Sequence, residues 1–177
     1  NGAELLVAML QAHEVDVIFG LPGDTGVAFY DALRAQNQIR HVMTRDERSA
    51  GFMADAYARL SGKPGICEGP SGGGATYILP GLAEANGSSV PLLCINSDIS
   101  VAARGRYTLT ELDQGALMRP VTKWNAVLNR AEDLPRIFRA AFRQITTGRP
   151  GAVRVALPFD VQNGSVNRAE IWGDVRF

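Results

Sequence analysis

Six short apolar runs at fairly even intervals constrain this chain more than any other feature: residues 15–19, 39–43, 65–68, 90–95, 121–128 and 152–157. Most are rich in Val, Ile or Leu, and several are continuous rather than alternating. That is how strands buried on both faces read. Segments with helical spacing lie between most of them. Leu5, Leu6, Met9 and Leu10 form one stripe, Phe52, Met53, Ala56, Tyr57 and Leu60 a second, and Leu134, Ile137, Phe138, Ala141, Phe142 and Ile145 a third. Glu132 and Asp133 stand at the positive end of the last helix's dipole, and Gly148 follows as a stop. Alternation of this kind implies right-handed crossovers and a parallel sheet covered on both faces. The predicted fold is α/β: three α/β/α layers around a six-stranded parallel sheet.

Composition narrows the function. The 177 residues suit one domain. Eighteen Lys plus Arg balance 18 Asp plus Glu, so the basic excess of a nucleic-acid binder is missing. A hydrophobic content of 46% excludes a mostly disordered chain. No apolar run approaches the roughly 20 residues of a membrane helix. The chain opens on Asn1 without a signal-peptide pattern, as a processed or excised piece would. Cys67 and Cys94 sit in apolar runs and are expected to be buried reduced thiols, which suits a cytoplasmic protein. Residues 97–119 lack a clear period and read as a long, partly ordered connection, a kind of segment that often carries function. The pattern fades again after Asp160, as it would in a linker.

In a parallel sheet, ligands bind beyond the carboxyl ends of the strands. Four loops should converge there: residues 20–24, 44–47, 69–74 and 96–98. The glycines at 72, 73 and 74 suit either ligand approach at a helix start or a tight strand-to-helix turn. They lack the G-x-G-x-x-G spacing of a dinucleotide site. Gly62-Lys63 is followed by Pro64, with Tyr57 where a P-loop would begin on glycine. Pro80 should kink or shorten the following helix. Glu47 leads a helical face of small residues, Ala50, Gly51, Ala54 and Ala58. It is either a partly buried acid whose proton affinity is raised by burial, or an ordinary first-turn acid favoured by the dipole. Arg45 and Arg48 flank it as structural ion pairs or as holders of a partner chain. His13 and His41 lack a zinc-ligand pattern, and Ser71 lacks a nucleophile elbow. Lys123 reads as solvated, and Trp124 as core or interface.

Taken in order, the segments resemble the pyrimidine-binding domain of thiamine-diphosphate enzymes, in the acetolactate synthase and benzoylformate decarboxylase branch. The residues that carry the resemblance are Gly2-Ala3-Glu4-Leu5-Leu6, the stretch from Val17 through Phe19 to Pro22-Gly23, and Arg45-Asp46-Glu47 running to Tyr57-Ala58-Arg59. Gly62-Lys63-Pro64-Gly65, Ser71-Gly72-Gly73-Gly74-Ala75-Thr76, Arg119-Pro120-Val121-Thr122-Lys123 and Thr147-Gly148-Arg149-Pro150-Gly151 follow. The Arg45–Arg59 stretch resembles the family's most specific segment, R-H-E-x-x-A-x-x-M-A-x-x-Y-A-R.

The resemblance implies a pyrimidine-binding domain over residues 1–162 and, over 163–177, the start of a linker to an absent central domain. It implies thiamine diphosphate as cofactor and Glu47 as the catalytic carboxyl that hydrogen-bonds the pyrimidine N1′ and activates the cofactor. Pro22, Gly23, Pro70, Ser71, Gly72 and Gly73 would line the cofactor pocket with Glu47. Magnesium and the diphosphate would be held by an absent third domain, since no G-D-G…N-N motif occurs here. No metal ligand is therefore assigned to this chain, and the isolated chain should bind the cofactor weakly or not at all. The active site would form between chains of a homo-oligomer, a dimer or tetramer, without nucleic acid or membrane. The function implied is the N-terminal domain of a lyase or carboligase acting on small 2-keto acids. The alternatives are a non-catalytic assembly or regulatory domain of the same fold, or a separate pyrimidine-domain subunit of a two-chain decarboxylase.

The sequence departs from acetolactate synthases at three informative places. Asp24 stands where a second glycine commonly follows Pro-Gly. S-G-P-G-A-T-N reads Ser71-Gly72-Gly73-Gly74-Ala75-Thr76-Tyr77, and the glutamine of F-Q-E aligns with Thr110. The Glu47 helix and residues 71–86 are expected to present an apolar interface, with Ala50, Ala54, Gly81, Ala83 and Ala85 permitting close contact between chains.

Overall fold

A computed structural model describes residues 1–167 of the chain. Each apolar run overlaps a strand: β1 Val17–Gly20, β2 Arg40–Met43, β3 Gly65–Gly69, β4 Leu92–Asp98, β5 Trp124–Val127 and β6 Ala152–Pro158. They form one sheet in the order β2-β1-β3-β4-β6-β5, with every neighbouring pair parallel. The expected six-stranded parallel sheet is therefore present. The longest pairing runs from Leu92 opposite Ala152 to Asp98 opposite Pro158. The strand order reverses beside β1, because the chain steps from β1 out to β2 and then returns to the other side of β1 for β3. Loops leaving β1 and β3 consequently part to opposite faces and leave a crevice between them.

One helical layer contains α1 Gly2–Ala12, α2 Val27–Arg34 and α7 Leu134–Thr146, with the short α8 Phe159–Asn163 beside them. Its core joins Leu5, Leu6, Leu10, Phe29, Ile137 and Phe138 to Ile18, Leu93 and Val155 of the sheet. The other layer contains α3 Glu47–Ser61, α4 Gly73–Tyr77, α5 Leu79–Gly87 and α6 Gln114–Met118. Its core packs Ala50, Ala54, Ala58, Leu82 and Met118 on Val17, Cys67, Cys94 and Ala152. Both cysteines are free and buried.

Local chemistry sets the helix ends. Asn1 closes a capping box with Glu4 at the start of α1. Asp46 caps α3 by accepting from the Arg48 N–H at 2.8 Å. Pro80 lies in the first turn of α5, where its missing N–H costs least, and α4 ends before it as expected. Lys123 is not the solvated residue anticipated from the sequence. Its Nζ donates to the carbonyls of Gln144 and Thr147, both at 2.6 Å, and closes the carboxyl end of α7.

On α3 the face of small residues, Ala50, Gly51, Ala54 and Ala58, is the one that packs inward, and the Phe52, Met53 and Leu60 stripe lies on the outside, as an apolar patch near Glu47 requires. The reason is distance. A Cβ at Gly81 would lie 2.6 Å from the Gly51 Cα and carbonyl carbon, so α3 and α5 meet backbone to backbone. Large side chains would hold them apart. Ala50, Ala54, Gly81 and Ala85 are therefore buried within the chain rather than offered to a second one, and Ala83 alone of the five is exposed. Gly81→Ala is expected to destabilise the fold by about 1–3 kcal/mol through overpacking. Thermal unfolding measures this, and an unchanged midpoint would mean that the two helices separate freely.

Of residues 97–119, expected as a partly ordered connection, 97–98 end β4 and 114–118 form α6, and the stretch 99–113 between them is held by polar contacts. Glu111 accepts from the N–H groups of Gly105 and Thr108 at 2.6 and 3.0 Å, and Asp160 accepts from that of Val101 at 3.0 Å. At the carboxyl end, Gly164 accepts from the Gly2 N–H at 3.0 Å and Val166 packs on the first core. The remainder of the expected linker, 168–177, lies outside the described residues. Among the described residues no helix is long and apolar enough to cross a membrane, and no group of three His, Cys, Asp or Glu is placed to hold a metal.

Candidate functional site

The crevice between β1 and β3 collects three of the loops selected from the sequence. The β1 loop brings Pro22 and Gly23, the β3 loop brings Pro70, Ser71 and Gly72, and the β2 loop delivers Glu47 at the first position of α3. Gly23 rests on the Pro70 ring so closely that a Cβ there would collide with it. A Cβ at Gly74 would meet Pro70 Cγ at 2.5 Å and Glu47 Oε1 at 3.1 Å. Gly23, Pro70, Gly74 and the Glu47 carboxyl thus form one contiguous series. Gly72 has φ +63, a backbone position that favours glycine, and Gly73 is exposed with open space above it. Pro22 is exposed at the rim.

Glu47 is buried, with 8% of its surface exposed. Among the described residues no hydrogen bond engages its carboxyl group. The neighbouring cation is taken: Arg48 Nε and Nη2 reach the Asp46 carboxylate at 2.9 and 2.7 Å, a structural ion pair on the surface. Three residues before Glu47, the Thr44 hydroxyl is also buried and without a partner. Buried polar groups are ordinarily hydrogen-bonded. Two unsatisfied groups at one rim, beside glycines that leave space, fit a ligand carrying polar ring atoms. The donor set contains no second carboxylate facing the rim and no cation for a diphosphate. It suits the pyrimidine end of thiamine diphosphate and not its anionic end.

Ser71 organises the floor of the crevice. It is 4% exposed. Its Oγ donates to Thr110 Oγ1 at 2.7 Å and accepts from Thr25 Oγ1 at 3.1 Å, and its N–H donates to Thr25 Oγ1 at 3.2 Å. Thr110 has φ +67, a costly conformation for a β-branched residue. It is pressed onto Gly72, where a Cβ would lie 2.9 Å from its own. The hydroxyl contacts thus hold the 99–113 connection against the glycine turn, which links two segments that the sequence left separate.

Two buried polar clusters behind these loops were missed in the sequence. Glu68 on β3 is fully buried and accepts from the Tyr30 hydroxyl and from Ser97 Oγ at 3.2 Å. Burial is the main cause pushing its carboxyl up to about 8. Burial likewise raises the Tyr30 phenol. Arg154 on β6 is fully buried among Asn96, Asn125 and Gln114, with Nη2 donating to Gln114 Oε1 at 2.6 Å. Asn96 Nδ2 in turn donates to the Gly69 carbonyl at 3.3 Å, at the root of the Pro70 loop. Both clusters had a signal: a charged residue inside a continuous apolar strand run.

Two grooves lie elsewhere. One of about 640 Å³ runs along α7 past His13, Arg139 and Phe142; another of about 440 Å³ lies beside Asp98, Arg104 and Gln114. Neither is lined by Glu47.

Comparison with known proteins bears on the same residues. A family profile described as "Thiamine pyrophosphate enzyme, N-terminal TPP binding domain" matches residues 1–117. The chain is 40% identical over 167 residues to a probable acetolactate synthase large subunit of Methanocaldococcus jannaschii, covering 94% of this chain and 28% of that protein. It is 38% identical over 162 residues to the acetolactate synthase isozyme 1 large subunit of Escherichia coli K12, covering 92% and 29%. It is 41% identical over 162 residues to acetolactate synthase 2, chloroplastic, of Brassica napus, covering 92% and 25%. The chain therefore spans between a quarter and a third of the length of these curated relatives.

Proposed function

Because this chain belongs to the thiamine pyrophosphate enzymes through their N-terminal TPP binding domain, we propose that it supplies the pyrimidine half of a cofactor site in an acetolactate synthase-like lyase or carboligase of 2-keto acids. One observation carries the reading: the Glu47 carboxyl is buried against Gly74 and has no hydrogen-bond partner among the described residues. Thiamine diphosphate, when bound, supplies the carbanion chemistry that such reactions need.

The protein's own residues have simpler tasks. The Glu47 carboxyl would hydrogen-bond the pyrimidine N1′ and exchange a proton with it. Gly73, with open space above it, leaves room for the flat ring. Ser71, through Thr25 and Thr110, fixes the loop that faces it. Pro22 and Gly23 close the pocket against Pro70. Magnesium and the diphosphate belong, in this reading, to another part of the assembly; among the described residues no group of three His, Cys, Asp or Glu is placed to hold a metal.

The second half of the site comes, in this reading, from another copy of the protein. Phe52, Met53 and Tyr77 are 45%, 42% and 57% exposed on α3 and α4, the elements that also carry or adjoin Glu47. Apolar side chains beside a half-built site suit a homo-oligomeric contact. The place of action proposed is the cytoplasm.

The test uses the intact protein with thiamine diphosphate, magnesium and pyruvate. Release of carbon dioxide and formation of acetolactate are expected, both lost when the cofactor is left out. Binding of the cofactor without turnover of pyruvate or any other 2-keto acid would sink the catalytic reading.

A further inference from the structure

We propose that Glu68 is a positioning residue of the candidate site: a neutral buried acid that ties β3 to α2 and β4 through two hydroxyl groups and so holds the Pro22–Gly23 turn against Pro70. The inference extends the reading of the Glu47 site, but its test does not depend on cofactor or turnover.

The geometry leaves the carboxyl no counterion. It is the penultimate residue of β3, one before Gly69 and two before Pro70, and it is fully buried. From α2 it meets the Tyr30 hydroxyl, and from β4 the Ser97 hydroxyl at 3.2 Å. From β1 it meets Gly20, and from the turn before α2 it meets Gly26; Cβ atoms there would lie 3.2 and 3.3 Å from its two oxygens. The titratable groups around the cluster are Tyr30 on α2, Glu47 on α3 and, on its own strand, Cys67. His41 on β2 stacks edge-on against Tyr30 at 4.8 Å, and its own burial lowers its proton affinity, so near neutral pH it offers no positive charge. Ionising Glu68 would thus place a negative charge in the interior, near a second carboxyl group, with only hydroxyls to receive it. Two carboxylates in one site do not both ionise readily.

The hydrogen bonds accommodate the neutral form. Tyr30 donates to Oε2, and a protonated Oε1 donates to Ser97 Oγ, whose hydroxyl rotates to accept. The consequence reaches the site because Gly20 and Gly26 bracket the β1 loop that carries Pro22 and Gly23. A charged Glu68 would draw water into this contact and loosen the loop.

Burial pushes the Glu68 carboxyl up to about 8. The folded state therefore keeps a proton that the unfolded chain gives up in the ordinary carboxylate range. Stability from this group is complete below that range and is lost as the pH rises through about 8. Glu68→Gln has no proton to lose. Its unfolding midpoint, relative to the parent, should therefore rise as the pH goes from about 5 to about 9, while below about pH 4 the difference stays flat.

The experiment is infrared difference spectroscopy of the intact, cofactor-free protein labelled with ¹³C-glutamate, alongside melting curves across the same pH range. The expected result is a protonated-carboxyl band at neutral pH that disappears toward about pH 9, is missing in Glu68→Gln and shifts in Tyr30→Phe. If Glu68→Gln does not fold, the parent and Tyr30→Phe spectra decide the matter alone. A neutral-pH spectrum without that band, a band unmoved by Tyr30→Phe, or melting differences independent of pH would overturn the proposal. Loss of turnover in Glu47 variants with the Glu68 band intact leaves it standing.

Discussion

Glu47→Gln in the intact protein is expected to lower turnover by roughly 10²- to 10⁴-fold, the span of a single general acid-base contribution. Glutamine keeps the size and one accepting oxygen but has no exchangeable acid proton. Hydrogen-deuterium exchange at the cofactor's C2, followed by quench and NMR, should slow by a similar factor. Cofactor affinity should fall less if, as proposed, the diphosphate is anchored outside this chain. The fold supplies a control. Among the described residues no group hydrogen-bonds the Glu47 carboxyl, so the amide leaves no partner stranded, and the variant should melt no lower than the parent. Unchanged C2 exchange with cofactor bound would remove Glu47 from the activating role. A collapsed melting temperature would instead make it a structural residue.

The second large effect is expected at Arg154. Arg154→Ala should destabilise the fold by about 2–5 kcal/mol, the range for truncating a large buried side chain, with the partner amides left unsatisfied. The variant leaves a cavity between sheet and helices and strips the partner from Gln114 Oε1. Asn96 and Asn125 also lose the guanidinium. Arg154→Met, which restores much of the volume, should recover part of the loss but not the amide contacts. Burial pulls the guanidinium down to about 10, so it stays charged near neutrality and the destabilisation should not vary between about pH 5 and 8. Chemical denaturation of both variants measures this. Equal losses in Ala and Met would assign the effect to hydrogen bonding alone, and no loss in either would show that the network contributes nothing. Because Asn96 also holds the Gly69 carbonyl, Arg154→Ala should loosen the Pro70 loop as well.

Much of the architecture was legible in the sequence for one reason: parallel strands buried on both faces must be continuous apolar runs, and such runs need no long-range information to recognise. All six strands, the α1 and α7 stripes and the interruption at Pro80 follow from local pattern and from the missing proline N–H. The convergence of residues 20–24, 44–47 and 69–74 follows from strand direction alone, and Glu47 was identified by its small-residue face and by the motif around it.

Tertiary structure decided what local pattern cannot encode. Which face of α3 is buried depended on the backbone approach of Gly51 to Gly81, thirty residues away, and this outweighed the apolar stripe of Phe52, Met53 and Leu60. Lys123 became a helix cap because α7 ends beside it. The hydroxyl chain from Thr25 through Ser71 to Thr110 joins three segments, and its meaning lies in distances between them. Glu68 and Arg154 stood in plain view as charged letters in apolar runs. Whether a charge in a strand faces water, a counterion or a ring of neutral hydroxyls is set by the neighbours the sheet order brings to it, and that order is a property of the folded chain alone.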